Sequence, residues 1–156
     1  MRVTICAVGR LRTGPEQALV GDYLARFDRT GRALGLGPAT VTEVEARRGG
    51  GMAEEGALIA RALPAGAAVC VLDERGEAVG SPALAAWLSA WRDAGRGDCA
   101  FVIGGADGVE AGLRARADRV LSLGPMVWPH MLVRVMLAEQ LYRAATILAG
   151  GPYHRA

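Results

Sequence analysis

One short run of the sequence combines side chains suited to acid–base chemistry: Tyr153, His154 and Arg155 follow one another. A histidine titrates near neutral pH and can accept a proton, while an arginine binds phosphate through a planar fork of N–H donors. Two interpretations are open, a terminal segment that frays or an arm that reaches an active site. His130 follows Pro129 at a predicted helix start, where the helix dipole opposes protonation, so we interpret it as a polar helix-start residue rather than a base.

A glycine-rich segment, GGADG at 104–108, follows the apolar run CAFVI at 99–103. It does not match the dinucleotide fingerprint, and the sequence contains no lysine, which excludes a phosphate-binding P-loop. The glycines either let a flat ligand approach the backbone or shape a tight strand-to-helix turn, and the segment alone leaves both open. Asp73, Glu74 and Asp107 are expected near this turn, but their spacing matches no set of metal ligands, so no metal site is predicted.

The segment GPMVWP at 124–129 holds two prolines and three large apolar side chains, an unusual composition for a connection that faces water. Such a loop either packs under a neighbouring element or lines an apolar slot for a small molecule. We favour the slot, because apolar faces beside backbone polar groups are what a flat heterocycle such as adenine requires.

Apolar runs of strand length alternate with segments of helical period along the sequence. Strands are predicted at 2–8, 39–45, 67–72, 99–103 and 119–123, and the longest helix at 130–148. This order predicts one α/β domain over residues 1–156, with a mostly parallel sheet and helices on both faces. The loops described above then meet at the carboxyl edge of the sheet, where such folds bind their ligands.

The predicted helix at 130–148 is apolar over most of its circumference. One face of a sheet in a chain of 156 residues cannot cover so much apolar surface, so a two-fold homodimer is expected. Glu139 and Arg143 are four residues apart in the favourable order, which predicts an ion pair on the helix surface. Whether that pair is buried at an interface stays open.

Composition narrows the class of protein and its partners. Basic residues exceed acidic ones in 1–50 and 111–156, while acidic residues dominate 51–110, a pattern that suits an anionic partner. Cys6, Cys70 and Cys99 lie in apolar runs without the spacing of a zinc site, which predicts buried, reduced thiols. The sequence has neither a signal-peptide pattern nor a membrane-spanning run, so a soluble cytoplasmic protein is expected.

Four motifs in fixed order resemble the RlmH family, the SPOUT-class N3-methyltransferases of a pseudouridine in large-subunit ribosomal RNA. They are IGGADG at 103–108, PHMLVRV at 129–135, EQLYRA at 139–144 and PYHR at 152–155. The resemblance covers the full length and is densest from Leu72 onward. It implies a trefoil knot in the C-terminal part of the fold and a homodimer that uses S-adenosylmethionine as methyl donor, without a metal.

The resemblance also implies roles for individual residues. The cofactor is expected to contact Leu72, Gly104, Gly105, Leu123, Gly124, Pro125, Met126, Val127 and Trp128. His154, supported by Tyr153, is the candidate base that removes the N3 proton, and the tail is expected to approach the site of the partner subunit. Arg155 and Arg134 are expected to position phosphate or stabilise the imide anion. Contacts to 23S rRNA, within the large subunit or the 70S ribosome, are expected at Arg10, Arg12, Arg47 and Arg48.

Three other functions compete with this interpretation. The first is a SPOUT methyltransferase that acts on another RNA, such as tRNA. The second is a non-catalytic ribosome-binding protein that keeps the fold. The third, a nucleotide-dependent oxidoreductase, is disfavoured because the dinucleotide fingerprint is missing.

Overall fold

The computed structural model describes residues 1–47 and 50–154. Arg48 and Arg155, both predicted to contact RNA or substrate, lie outside the described residues. The elements follow in the order β1 (Arg2–Val8), α1 (Pro15–Gly31), a 3₁₀ turn (Arg32–Leu34), β2 (Ala39–Val44), α2 (Gly51–Ala62), β3 (Ala68–Ala78), α3 (Ser81–Asp93), β4 (Asp98–Ile103), α4 (Ala111–Ala115), β5 (Arg119–Ser122) and α5 (His130–Leu148).

Within the described residues, five strands form one sheet in the order β2-β1-β4-β3-β5, and every neighbouring pair is parallel. Because all strands run in one direction, their carboxyl ends and the loops that follow them share one edge. The predicted parallel α/β architecture is confirmed. The predicted strand boundaries agree with the structure to within one residue, except in β3.

Helices cover both faces of the sheet, because neighbouring side chains of a strand point to opposite sides. In β1, Ile5 packs in the core that contains α1, α3 and α5, whereas Cys6 packs in the core that contains α2 and α4. The predicted burial of the cysteines is confirmed, since Cys6, Cys70 and Cys99 are all buried thiols. Burial raises the pKa of Cys6 to about 11 and that of Cys70 and Cys99 to about 12, so none is a reactive thiolate at neutral pH.

Strand β3 is longer than predicted and changes register midway. Leu72 and Glu77 both lie opposite Leu121 of β5, so residues 73–76 leave the ladder as an excursion. Gly76 permits this geometry, because a Cβ there would lie 2.6 Å from the backbone of β5. The charged sequence DERG conceals the continuation of the strand, since a strand is predicted from apolar or alternating runs.

Helix α5 packs against α1 and α3, where Leu137 and Leu141 are fully buried. At its N-terminal end, Met131 and Leu132 are exposed. The trefoil knot is implied by the family resemblance and stays a prediction. In the ranges 1–47 and 50–154, no helix combines the length and apolar character needed to cross a membrane.

Candidate active site

A cleft of about 470 Å³ opens at the carboxyl edge of the sheet, where β4 and β5 end and α5 begins. Most of the residues predicted to contact the cofactor line it, namely Leu72, Gly104, Gly105, Leu123, Gly124, Met126, Val127 and Trp128. They come together because the sheet order places β3 between β4 and β5. Pro125 belongs to the same loop but is exposed and does not line the cleft.

A tight glycine turn, residues 104–108, forms the floor of the cleft after β4. An antiparallel bridge between Gly105 and Gly108 closes it. A Cβ on Gly104 would lie 2.3 Å from the carbonyl oxygen of Gly108, and a Cβ on Gly105 would lie 2.8 Å from the Glu55 carboxylate. The glycines therefore shape the turn itself, and the resulting bare backbone lines the cleft.

The loop after β5 forms an apolar wall of the same cleft. Met126 and Val127 are 65% and 88% exposed, and Trp128 is 37% exposed. The loop therefore does not pack beneath a neighbouring element. An exposed apolar wall beside bare backbone suits the flat face of a heterocycle.

The excursion 73–76 forms a second wall; the sequence predicted Asp73 and Glu74 at this edge but not the excursion that holds them. Asp73 Oδ1 accepts a hydrogen bond from the backbone N–H of Arg75 at 2.9 Å, and Oδ2 accepts one from Arg114 Nη1 of α4 at 2.9 Å. The Asp73 side chain is only 8% exposed, so this ion pair is partly desolvated. The ion pair joins Asp73 and Arg114, which are 41 positions apart, so no local sequence motif predicts it.

The acids predicted near the glycine turn, Asp73, Glu74 and Asp107, all line the cleft. Across the part of the chain that the structure describes, no group of three or more His, Cys, Asp or Glu side chains is placed to hold a metal ion. His130 is the first residue of α5, as predicted, and it also lines the cleft, although the sequence predicted no role in binding for it.

Arg134 lies inside the protein and not on the cleft surface, with 1% of it exposed. Its Nη1 donates to Glu43 Oε1 at 2.7 Å, and its Nη2 donates to the carbonyl oxygens of Val8 at 2.8 Å and Gly9 at 2.7 Å. Glu43 Oε1 also accepts the N–H of Leu11 at 2.7 Å. The two terminal nitrogens of the guanidinium thus hold the loop after β1, while its buried Nε has no hydrogen-bond partner among the described residues. The predicted contact of Arg134 to phosphate or imide stays a prediction.

Tyr153 packs on α5, against Tyr142 and Arg143, and neither Tyr153 nor His154 lines the cleft. The predicted ion pair between Glu139 and Arg143 is present at 2.5 Å, and the Tyr153 hydroxyl donates to the same Glu139 oxygen at 3.0 Å. His154 is half-buried, and its Nδ1 has no hydrogen-bond partner among the described residues. The predicted site residues that the structure describes thus lie in three places: the cofactor candidates at the cleft, Arg134 in the interior beneath the loop after β1, and the tail at the end of α5.

A second groove of about 580 Å³ runs beside the cleft, between α1, the start of α3 and α5. Leu123 and Gly124 border both cavities. Leu19, Val135 and Met136 give the groove apolar walls, and Leu19 is 45% exposed. This is where the broad apolar surface of α5 stays uncovered.

Comparison with known proteins places this geometry in a family. A family model described as predicted SPOUT methyltransferase matches residues 1–154. The chain is 68% identical to a protein of Ruegeria pomeroyi and 69% identical to one of Roseobacter denitrificans, each covered to 99% over 155 residues, and both are named ribosomal RNA large subunit methyltransferase H. Its fold resembles that of a probable methyltransferase from Bordetella pertussis, with a TM-score of 0.56, 16% identity and coverage of 92% of this chain and 96% of that one. The chain therefore belongs to the SPOUT methyltransferases, in the family of ribosomal RNA large subunit methyltransferase H.

Proposed function

We propose that this protein methylates N3 of a pseudouridine in 23S rRNA of the large ribosomal subunit, with S-adenosylmethionine as methyl donor and the assembled ribosome as substrate. The chain is 68% and 69% identical, over 99% of its length, to relatives named ribosomal RNA large subunit methyltransferase H. This similarity supports methyl transfer to large-subunit ribosomal RNA as the reaction class. The observation that carries the proposal is the cleft, where residues from the ends of three strands converge on one cavity.

The residues of the cleft fit the proposed cofactor. Gly104 and Gly105 present backbone without a Cβ, and Met126 and Trp128 offer apolar faces on the other side. When bound, S-adenosylmethionine supplies a methyl group whose carbon is already electrophilic, because it is bonded to a positively charged sulfonium sulfur. The cleft then chiefly has to align that methyl group with the attacking nitrogen.

The acceptor nitrogen carries a proton that has to leave before its lone pair can attack. His154 is the candidate base, since an imidazole nitrogen is the side-chain group that most often serves as a general base. Neither Tyr153 nor His154 lines the cleft, which supports the proposal that the tail serving a given cleft belongs to a partner subunit. Arg155 follows His154 in the sequence and is assigned to phosphate or to the developing imide anion.

A homodimer provides that second tail and covers the second groove. The groove is bordered by apolar residues of α1 and α5, and it shares Leu123 and Gly124 with the cleft. In a two-fold interface at this position, the groove of one copy packs against the same groove of the other copy. Closing the groove would therefore bring the partner subunit beside the cofactor site.

The RNA is assigned to the loops after β1 and β2. Arg10, Arg12 and Arg47 are exposed there, at the same edge as the cleft, and β1 pairs directly with β4. The buried Arg134 holds the first of these loops through the carbonyl groups of Val8 and Gly9. Phosphate contacts at these loops would position the RNA, while the cleft receives the reacting base.

The proposal is tested with ribosomes from a strain that lacks the gene. We expect the purified protein to transfer a tritiated methyl group to intact ribosomes, and mass mapping to locate it on one pseudouridine of 23S rRNA. Free 23S RNA and tRNA are assayed in parallel. Labelling of tRNA instead would favour the other RNA substrate, and no calorimetric binding of S-adenosylmethionine would favour a non-catalytic ribosome-binding protein.

Asp73→Asn is expected to raise the Kd for S-adenosylmethionine roughly tenfold, because a charge-assisted hydrogen bond worth about 1.5–3 kcal/mol no longer holds the cleft wall. Isothermal titration calorimetry measures the effect. Asp98→Asn is the matched control, since Asp98 pairs with Arg2 at the amino edge of the sheet, far from the cleft. Equal Kd values for Asp73→Asn and the wild type would contradict the assigned role of this wall.

The shared site predicts complementation between two inactive variants. A heterodimer of one Gly104→Ala subunit and one His154→Ala subunit, purified through two different tags, keeps one intact cleft facing one intact tail. We expect about half of the wild-type rate per dimer, because one of the two symmetry-related sites is whole. Each variant homodimer serves as the inactive reference. A heterodimer as inactive as its parents would show that cleft and tail of the same subunit work together.

A further inference from the structure

Among the described residues, the tail is bound to α5 at the carboxylate of Glu139. Glu139 Oε1 accepts hydrogen bonds from the Tyr153 hydroxyl at 3.0 Å and from Arg143 Nη2 and Nε at 2.5 and 3.0 Å. The Tyr153 ring lies 4.6 Å from the ring of Tyr142, centroid to centroid, and the Arg143 guanidinium carbon lies 4.7 Å from the Tyr153 ring centroid. We call this set of contacts the tail latch.

The end of α5 is shaped so that the tail can reach the latch. Gly150 takes a positive φ of +67°, which ends the helix in a left-handed cap. The N–H of Gly151 then donates to the carbonyl oxygen of Thr146 at 2.8 Å, and the chain turns back along α5. The sequence AGGP at 149–152 thus encodes a reversal and not a continuation of the helix.

The second oxygen of Glu139 is tied to another helix. Gln140 Nε2 donates to Glu139 Oε2 at 2.7 Å, and Gln140 Oε1 accepts from Ser81 Oγ at 2.7 Å. Ser81, the first residue of α3, therefore donates its hydroxyl to this network and makes no capping bond. With both oxygens engaged and 18% of its side chain exposed, Glu139 is held in one orientation.

We propose that Glu139 is a positioning residue for proton transfer: its carboxylate holds the tail on α5 and so fixes where His154 is presented. The inference rests on the proposed function, in which His154 accepts the N3 proton. An ordinary surface ion pair with Arg143 would need no third donor, whereas Tyr153 stands directly before His154 and completes the latch. Burial and the Glu139 carboxylate raise the pKa of Tyr153 to about 12, so the phenol stays protonated and keeps donating at neutral pH.

The test compares Glu139→Gln, Tyr153→Phe and the double variant in the full-length protein. We expect each single variant to lower the single-turnover rate of methyl transfer roughly ten- to hundredfold, because a catalytic group displaced by about 1 Å loses that much. The double variant should lose no more of the methyl-transfer rate than the more impaired of the two single variants, since both changes break the same latch. The Kd for S-adenosylmethionine, measured by calorimetry, should not change.

Hydrogen exchange of the C-terminal peptide gives a readout that does not depend on activity. Exchange is expected to rise in both single variants at the tail and to stay unchanged in β1 and β4. Asp93→Asn is the control, because it removes an exposed ion pair with Arg92 on α3. Unchanged exchange would overturn the latch itself. Raised exchange with a wild-type methyl-transfer rate would overturn its role in positioning, and wild-type activity of His154→Ala would overturn the proposed base while leaving the latch measurable.

Discussion

His154→Ala is expected to lower the single-turnover rate of methyl transfer to ribosomes by about 10²- to 10⁴-fold, the usual contribution of a general base. In the proposed reaction the sulfonium methyl group needs no activation by the protein, so removal of the N3 proton is the step for which a side chain is required. His154 is half-buried, and its buried Nδ1 makes no hydrogen bond to any described residue, so no described side chain holds that nitrogen. A rapid-quench assay with tritiated S-adenosylmethionine and excess enzyme measures the rate.

Two controls separate a lost base from a damaged protein. The Kd for S-adenosylmethionine should stay at its wild-type value, because His154 does not line the cleft. The sedimentation coefficient should also stay unchanged, since alanine removes no apolar surface from the second groove. If His154→Ala transferred methyl groups at the wild-type rate across pH, His154 would not be the proton acceptor.

Gly104→Ala is expected to weaken the binding of S-adenosylmethionine by at least about a hundredfold, the scale on which small displacements of a binding group act. The new Cβ would lie 2.3 Å from the carbonyl oxygen of Gly108, 2.5 Å from its carbon and 2.9 Å from Val109 Cγ2. Two of these three atoms belong to the backbone, so no side-chain rotation relieves the clash. The turn 104–108 has to move, and it forms the floor of the cleft.

The same change also costs stability, by about 1–3 kcal/mol, as overpacking of a well-packed site does. Calorimetric titration and thermal unfolding measure the two effects on one sample. Gly97→Ala is the matched control, because a Cβ at Gly97 meets nothing within 4 Å and its φ is not positive. Wild-type affinity in Gly104→Ala would mean that the glycine turn lies outside the cofactor site.

The local pattern of the sequence determined the architecture well. Apolar runs such as CAFVI at 99–103 are long enough for a strand and too short for a helix, and both their type and their boundaries agree with the structure. The carboxyl-edge rule then placed the segments after β4 and β5 together before any contact was known. Residues 73–76 escaped prediction, because a charged excursion within a strand has neither a strand period nor a helical one.

Which side chain meets which was decided only by the tertiary structure. Arg134 and Glu43 are 91 positions apart, and nothing in either neighbourhood indicates that a charged residue of α5 is fully buried against the end of β2. Glu139 was predicted to pair with Arg143, four residues away, whereas its bond to Tyr153 required the helix end to reverse. A local pattern of apolar residues predicts helices and strands because the backbone geometry of each repeats every few residues. Contacts between elements depend on how the whole chain packs, and that is where the cleft, the buried arginine and the tail latch arise.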